Sequence, residues 1–289
     1  MALNRVKIIL KMIRFEHSVF ALPFAYLGMI LARREFPTFL QFLWITVAMV
    51  GARSMAMSVN RLADYKMDQR NPRTADWPLP SGKITRKAVT LFAVSSFFIF
   101  LIAVYQLAPL CRYLWPVVII PMIIYPYTKR FTYLSHFLLG LCLGLAPLGA
   151  YVAITDRIPE IPIIILGLAV LFWTAGFDII YSCQDYEFDV REGLHSIPIT
   201  LGIEKGLQLT KLLHLLTLFL LFLVGLLVRL GHFYFLGIIL ISLFLWYENR
   251  IVKPSDLSKV NLSFFTLNGL VSIAILLFTV TDILLLRRV

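Results

Sequence analysis

TFLQFLWITVAMVGARSMAMSVN, residues 38–60, is an apolar run that passes without a break into RLADYKMD, residues 61–68. The first part can cross a bilayer, because a helix of roughly 20 apolar residues spans the hydrocarbon core. The second part is different in kind. Asn60, Asp64 and Asp68 are spaced i, i+4, i+8, so on a continued helix they stack on one face. A membrane span that ends in a column of one amide and two carboxylates is costly unless the column is used.

The rest of the chain repeats the apolar theme. Further apolar segments lie at roughly 16–33, 87–108, 112–127, 132–154, 160–183, 205–228, 232–248 and 262–286. The segment at 112–127 is short and holds Pro116, Pro121 and Pro126, so a kink is expected there. Of the 289 residues, 60% are hydrophobic and only 15% charged, and the mean hydropathy is +0.84. A soluble domain carries about 25% charged residues, and a disordered chain is poorer still in apolar ones. The expected fold is therefore all-α: a polytopic membrane protein of nine transmembrane helices, one domain over residues 1–289.

Charge orients it. The net charge is +11, and the basic residues lie mainly between the apolar runs. That favours orientation and anionic headgroups over nucleic acid, which is not an expected partner. Arg5, Lys7, Lys11, Arg14, the basic residues from Lys66 to Lys87, Lys129, Arg130, Arg191, Lys205, Arg250, Lys253 and Lys259 fall on one side of nine spans. The other side holds fewer: Arg33, Arg34, Arg112, Arg157, Arg229, Arg287 and Arg288. The N-terminus is thus expected in the cytoplasm, together with every loop that follows an even-numbered span. The start, MALNRVKIILKMIRFEHS, is basic and amphipathic and shows no cleavable signal. Cys111, Cys142 and Cys183 stand singly, with no spacing for zinc or an iron–sulfur cluster.

The carboxylates gather on that cytoplasmic face. Of 16 acidic residues, Asp64, Asp68 and Asp76 follow the second span, and Asp178, Asp185, Glu187, Asp189, Glu192 and Glu204 lie in or after the sixth. DYEFD, residues 185–189, repeats the i, i+4 pair. Like charges one turn apart repel unless a cation lies between them. Two such pairs facing each other would suit a hard divalent ion, and magnesium bridges carboxylates to phosphates. Either pair alone reads equally well as a solvated acidic helix end. Both together, in a chain this poor in acid, point to a site.

Cations accompany them. Arg73, in QRNPRTADWPLPSGK, can fork onto phosphate oxygens, or can be an ordinary anchoring arginine. Tyr125 and Lys129, in YPYTKR, are one turn apart and could both reach a phosphate, or could be an interfacial aromatic beside a basic anchor. Acidic pairs with nearby cations suit a metal–diphosphate. A cation transporter or a carrier of polyprenyl lipids is the competing class and would show flux without product. A structural membrane subunit leaves the clustered carboxylates without a purpose.

At this point the sequence resembles the UbiA superfamily of intramembrane prenyltransferases. NRLADYKMD matches its N-x-x-x-D-x-x-x-D motif, and DYEFD within YSCQDYEFDVREGLHSIP matches its second motif, D-x-x-x-D. PRTADWPLPSG and YPYTKR resemble the stretch after the first motif and the Y-x-x-x-K element, so the likeness runs from about residue 14 to 206. The resemblance implies nine helices around a central cavity open to lipid. It implies transfer of a polyprenyl group from its diphosphate to an acceptor, with release of pyrophosphate. Asp64, Asp68, Asp185 and Asp189 would be the catalytic residues that hold Mg2+, with Asn60, Arg73, Tyr125 and Lys129 binding the diphosphate. The setting would be the cytoplasmic (inner) membrane of a prokaryote, with the site on the cytoplasmic side.

Within the superfamily the sequence looks most like the 4-hydroxybenzoate polyprenyltransferases of quinone biosynthesis. RFEHSVFALPFAYLG, residues 14–28, stands where many of those carry an R-x-x-x-P-x-G type sequence. That departure, with EFDVREGLHSIP, resembles a subgroup on the futalosine route to menaquinone, whose acceptor is 1,4-dihydroxy-6-naphthoate. A sister enzyme acting on haem, chlorophyllide or a glycerol phosphate is the nearest rival. Both leading acceptors are aromatic carboxylates that need a cation. Arg53, seven residues before Asn60, lies on about the same face and roughly 10 Å deeper. It is the candidate, with pairing to an internal carboxylate such as Asp178 as its other reading. Asp178, seven residues before Asp185, is a second candidate for acceptor contact. His136 and Asn268 read as helix–helix hydrogen bonds. Arg14, Glu16 and His17 could reach the acceptor or anchor the first span.

Overall fold

The structure, a computed structural model, describes residues 2–15 and 18–286, without the side chains of residues 2–5, 18, 19 and 286. The readings made for Glu16, His17, Arg287 and Arg288, and for the side chain of Arg5, lie outside the described residues. Within them the chain is helical and holds no named strand, only one isolated bridge between Lys253 and Asp256. The helices are α1 (Ala2–Met12), α2 (Ser18–Leu31), α3 (Phe39–Arg70), α4 (Arg86–Tyr105), α5 (Cys111–Thr128) and α6 (Ser135–Thr155). They continue with α7 (Ile161–Ser182), α8 (Tyr186–Arg191), α9 (Ile197–Leu201), α10 (Ile203–Val228), α11 (His232–Ile251) and α12 (Asn268–Leu286). A π-helical turn, Leu262–Leu267, precedes α12.

Each of the nine expected spans contains a helix among the described residues, but they are not equal. Seven of the described helices are long and apolar enough to cross a membrane. The other two are α2, with 14 residues and Pro23 inside it, and α5, with 18 residues and prolines at 116, 121 and 126. Side chains such as Leu91, Phe98 and Ile102 on α4 and Leu212, Leu215 and Phe219 on α10 are exposed on the outer faces. In a protein of this composition that surface meets lipid.

The bundle closes through small residues. Helices α6 and α7 pack along their length, α7 on α10, α3 on α4, and α2 sits between α6 and α12. A Cβ added to Gly144 would stand 2.5 Å from the Gly167 carbonyl oxygen, so the two backbones touch only because neither residue has a side chain. Aromatic rings fill the space inside. Phe24 lies 5.1 Å from Trp173, Trp173 4.9 Å from Phe177, and Phe177 5.3 Å from Phe264, ring centre to ring centre.

Helix α3 sets up the site. Thr38 caps it in a reciprocal box with Gln41. At 32 residues it is about 48 Å long, well beyond the hydrocarbon core of about 30 Å. Its last turns therefore emerge on one face and carry the acidic column with them. Asn71 ends the helix in an extended conformation, ahead of Pro72, and a run of turns to residue 85 folds back over the end.

Candidate active site

Among the described residues, every one singled out above for metal, diphosphate or acceptor lines one cavity of about 510 Å³. Asn60, Asp64 and Asp68 enter it from α3, and Asp178 and Asp185 from α7 and the turn after it. Asp189 enters from α8, Tyr125 and Lys129 from the end of α5, and Arg73 from the loop after α3. Arg53 lines it deeper on α3. The far part is apolar, with Ile45, Ala48, Phe100, Val104, Trp115 and Val152 on its walls.

The acidic column of α3 stands as its spacing requires. Asp64 and Asp68 are buried, 5% and 9% exposed, on one face. The second pair is different. A 3-10 turn, Cys183–Asp185, separates α7 from α8, so Asp185 and Asp189 straddle a helix break and are not one turn apart on a continuous helix. At this turn Asp185 is held by the loop after α3. Arg73 donates Nε–H to Asp185 Oδ1 at 2.8 Å and pairs through Nη2 with Oδ2, and Asn71 Nδ2 donates to Oδ1 at 2.8 Å. The loop after α3 thus grips the acid of the other motif. Asn71 in turn accepts the Arg73 backbone N–H at 2.9 Å, which fixes the loop.

The carboxylates are met by cations. Lys129 Nζ lies 2.6 Å from Asp64 Oδ2, and Arg130 Nη2 lies 3.7 Å from Asp64 Oδ1. Arg61 Nη1 lies 3.8 Å from Asp68 Oδ2. Asp189 is within electrostatic reach of Asp185, Lys129, Arg73 and Asp64. Among the described residues no three His, Cys, Asp or Glu side chains stand together as a ready metal cage. The expected cage of two facing pairs is therefore not preformed: cations fill the space between the carboxylates. Lone pairs remain nonetheless. Asp64 Oδ1 and Asp68 Oδ2 are buried and make no hydrogen bond, which is unusual for buried polar atoms. Such oxygens fit a divalent ion.

Arg73 is the most engaged cation. Its Nη1 also donates to the Tyr181 hydroxyl at 2.8 Å. Burial works against its charge, but hydrogen bonding and charge from Asp185 and Tyr181 outweigh that and hold its pKa above the ordinary arginine value. Trp77 lies beside it, with three guanidinium carbons around one ring: Arg61 at 4.1 Å, Arg14 at 4.7 Å and Arg73 at 5.5 Å from the centroid. Arg53 donates to the Arg14 backbone oxygen at 3.1 Å. Its expected alternative partner, Asp178, is held by His136 instead: Nδ1 to Oδ2 is 2.7 Å. Asn268 makes the expected helix–helix bonds, accepting from Trp173 Nε1 at 2.7 Å and donating to Glu248 at 2.7 Å.

Sequence reasoning passed over Asn71, Trp77, Tyr181 and Arg61. Tyr181 had a signal, since it lies four residues before Asp185. Asn71 and Trp77 had none, because they act only through the fold of the loop.

Comparison with known proteins completes the picture. Residues 21–270 match the sequence profile of the UbiA prenyltransferase family. A 4-hydroxybenzoate octaprenyltransferase from Aliivibrio fischeri is 34% identical over 233 residues, covering 79% of this chain and 81% of the relative. The apo structure of a UbiA homolog from Aeropyrum pernix K1 superposes with a TM-score of 0.83 at 31% identity, covering 92% of this chain and 98% of that one. A UbiA homolog from Archaeoglobus fulgidus, solved bound to DMAPP and Mg2+, shares the fold with a TM-score of 0.73 at 19% identity, over 95% of this chain and 98% of that one.

Proposed function

The chain belongs to the UbiA prenyltransferase family and is an integral membrane enzyme; we propose that it moves a polyprenyl group from its diphosphate to an aromatic hydroxy-acid of the 4-hydroxybenzoate type. Pyrophosphate is released, and the site faces the cytoplasm. One observation carries the reading. A single cavity has acids and cations at one end and only apolar walls at the other, which is the shape and polarity of a polyprenyl diphosphate.

The residues divide the work by position. Lys129 and Arg73 carry the charge that meets the phosphate oxygens, with Tyr125 and Asn60 beside them. Asp64, Asp68, Asp185 and Asp189 would hold magnesium, and the buried, unbonded oxygens of Asp64 and Asp68 are its best-placed ligands. Magnesium, when bound, neutralises charge that builds on the leaving pyrophosphate. The same charge is drawn by Lys129 and Arg73, so the allylic C–O bond weakens. The apolar walls keep water from the allylic cation that results. Arg53, with Arg14 and Arg61 close by, supplies the cationic wall for the acceptor's carboxylate. The electron-rich ring carbon beside the phenolic oxygen then bonds to the prenyl C1.

The test is product formation in membranes with magnesium, a polyprenyl diphosphate, and 4-hydroxybenzoate or 1,4-dihydroxy-6-naphthoate offered separately. Prenylated 4-hydroxybenzoate, lost in Asp64→Asn and Asp185→Asn, supports the reading. Product from the naphthoate alone moves the acceptor to the menaquinone type. Diphosphate binding without either product overturns the aromatic-acid acceptor.

A further inference from the structure

The transfer leaves one proton to be removed. Once the ring carbon has bonded to the prenyl group it carries both the new substituent and its old hydrogen, and aromaticity returns only when that proton goes to a base. The site acids at the polar end are poorly suited: cations engage Asp64, Asp68 and Asp185, and Asp189 sits among Asp185, Lys129, Arg73 and Asp64 where the diphosphate and its metal would lie. One carboxylate in the cavity stands apart from them.

Asp178 lies on α7 seven residues before Asp185, two turns and about 10 Å further from the polar end. Arg53 lies on α3 seven residues before Asn60 and eleven before Asp64, so it is the deeper of the two, on another wall. Both line the cavity. An aromatic acid whose carboxylate meets Arg53 has its ring and hydroxyl between Arg53 and the phosphates, in the part of the cavity that Asp178 lines. The Asp178 side chain is 22% exposed, and its surroundings fix it. His136 is buried, 3% exposed, and its Nε2 accepts the backbone N–H of Ile197 at 3.3 Å. That acceptor role leaves the ring hydrogen on Nδ1, which donates to Asp178 Oδ2 at 2.7 Å. Asp178 Oδ1 makes no hydrogen bond among the described residues and is left for the substrate.

We propose that Asp178, oriented by His136, takes the ring proton that the transfer displaces; the proposal rests on the aromatic-acid reading above. The C–O bond to diphosphate breaks with both electrons on the leaving pyrophosphate. The ring's π electrons form the new C–C bond. The C–H pair returns to the ring as its proton passes to Asp178 Oδ1. His136 is a positioning residue: it holds Oδ2 and aims Oδ1.

The experiment uses the full-length enzyme with 4-hydroxybenzoate, unlabelled or deuterated at the two ring carbons beside the hydroxyl. Proton loss from a good base is fast, so wild type shows little isotope effect on kcat. Asp178→Asn removes the base and makes that step slow. Its kcat falls by about 10²–10⁴-fold, and an isotope effect clearly above one appears. KM for the diphosphate stays within about twofold, because no diphosphate contact is lost. His136→Ala keeps the carboxylate but frees its orientation, so its kcat falls less and the isotope effect still rises. The proposal is overturned if, in whichever of the two variants still binds the diphosphate, kcat stays within about threefold of wild type or the isotope effect is unchanged. The proton then leaves by another route, with pyrophosphate the first candidate. A wild-type enzyme that makes no prenylated acid overturns the acceptor reading instead, so the two failures are distinct.

Discussion

Arg73→Lys isolates what a planar fork contributes beyond its charge. Arg73 makes two bonds to Asp185 and one to Tyr181, and lies 5.1 Å from the Tyr181 ring and 5.5 Å from the Trp77 ring. A lysine ammonium keeps the charge and one bond. It loses a charge-assisted bond worth about 1.5–3 kcal/mol and a bond to the tyrosine worth about 1 kcal/mol. The guanidinium–ring contacts add about 0.5 kcal/mol more. The side chain is 29% exposed, so water recovers part of this and the net loss is about 2 kcal/mol. Once the fork turns from Asp185 to the phosphate, the substitution loses a comparable amount there, and about 2 kcal/mol is roughly a 30-fold fall in kcat/KM. Arg73→Ala also strands Asp185, and its fall should reach about 10²–10³-fold. The assay is steady-state product formation in detergent or nanodiscs, with KM for the polyprenyl diphosphate separated from kcat. An Arg73→Lys enzyme within threefold of wild type refutes the reasoning. So does a double-mutant cycle in which Arg73→Ala and Asp185→Asn add within about 0.5 kcal/mol, since contacting partners must couple.

Three further outcomes are expected. Lys129→Met removes the ammonium 2.6 Å from Asp64. Its side chain is 31% exposed, so the loss is discounted to about 2 kcal/mol and kcat/KM should fall by about 30-fold; a change below threefold counts against a diphosphate role. Chelation with EDTA should abolish turnover, and added Mg2+ should restore it, measured in the same membranes. Gly144→Val puts side-chain atoms against the Gly167 carbonyl, 2.5 Å from the first of them; the α6–α7 packing should lose about 1–3 kcal/mol, read as a lower Tm in detergent.

The sequence carried most of the architecture because membrane spans are written in composition, and the acidic column because helix period is written in spacing. Asp64 and Asp68 fell on one face for that reason alone. The second pair did not follow the same rule. YSCQDYEFD contains neither glycine nor proline, so nothing local announces the break at Cys183–Asp185. The partners that meet Asp185 there are Arg73, 112 residues away, and Asn71, 114 residues away. A contact of that range is invisible to any window of sequence. The same holds for Trp77 and its three arginines, which come from α1's end, α3 and the loop. Helix α5 marks the opposite case: its prolines were legible, yet only the packing against α6 shows how a short, interrupted helix keeps its place.

Charge balance connects the fold to the chemistry. At the polar end Asp64 meets Lys129 and Arg130, Asp68 meets Arg61, and Asp185 meets Arg73. Counted formally, the acids and bases of this cluster nearly cancel. That balance lets many ionised groups share a cavity bordered by apolar helices, where an uncompensated charge is costly. A diphosphate arriving alone would break it by adding several negative charges next to four aspartates. A diphosphate arriving with divalent cations would not, because the metal brings compensating charge and takes up the unbonded oxygens of Asp64 and Asp68. Lys129 and Arg73 can then turn from carboxylate to phosphate without leaving a bare acid behind. The same residues thus account for how the charged end of the cavity is tolerated in the fold and for a leaving group that would arrive with its metal. This is the physical basis for expecting chelation to stop turnover at the binding step as well as at bond cleavage.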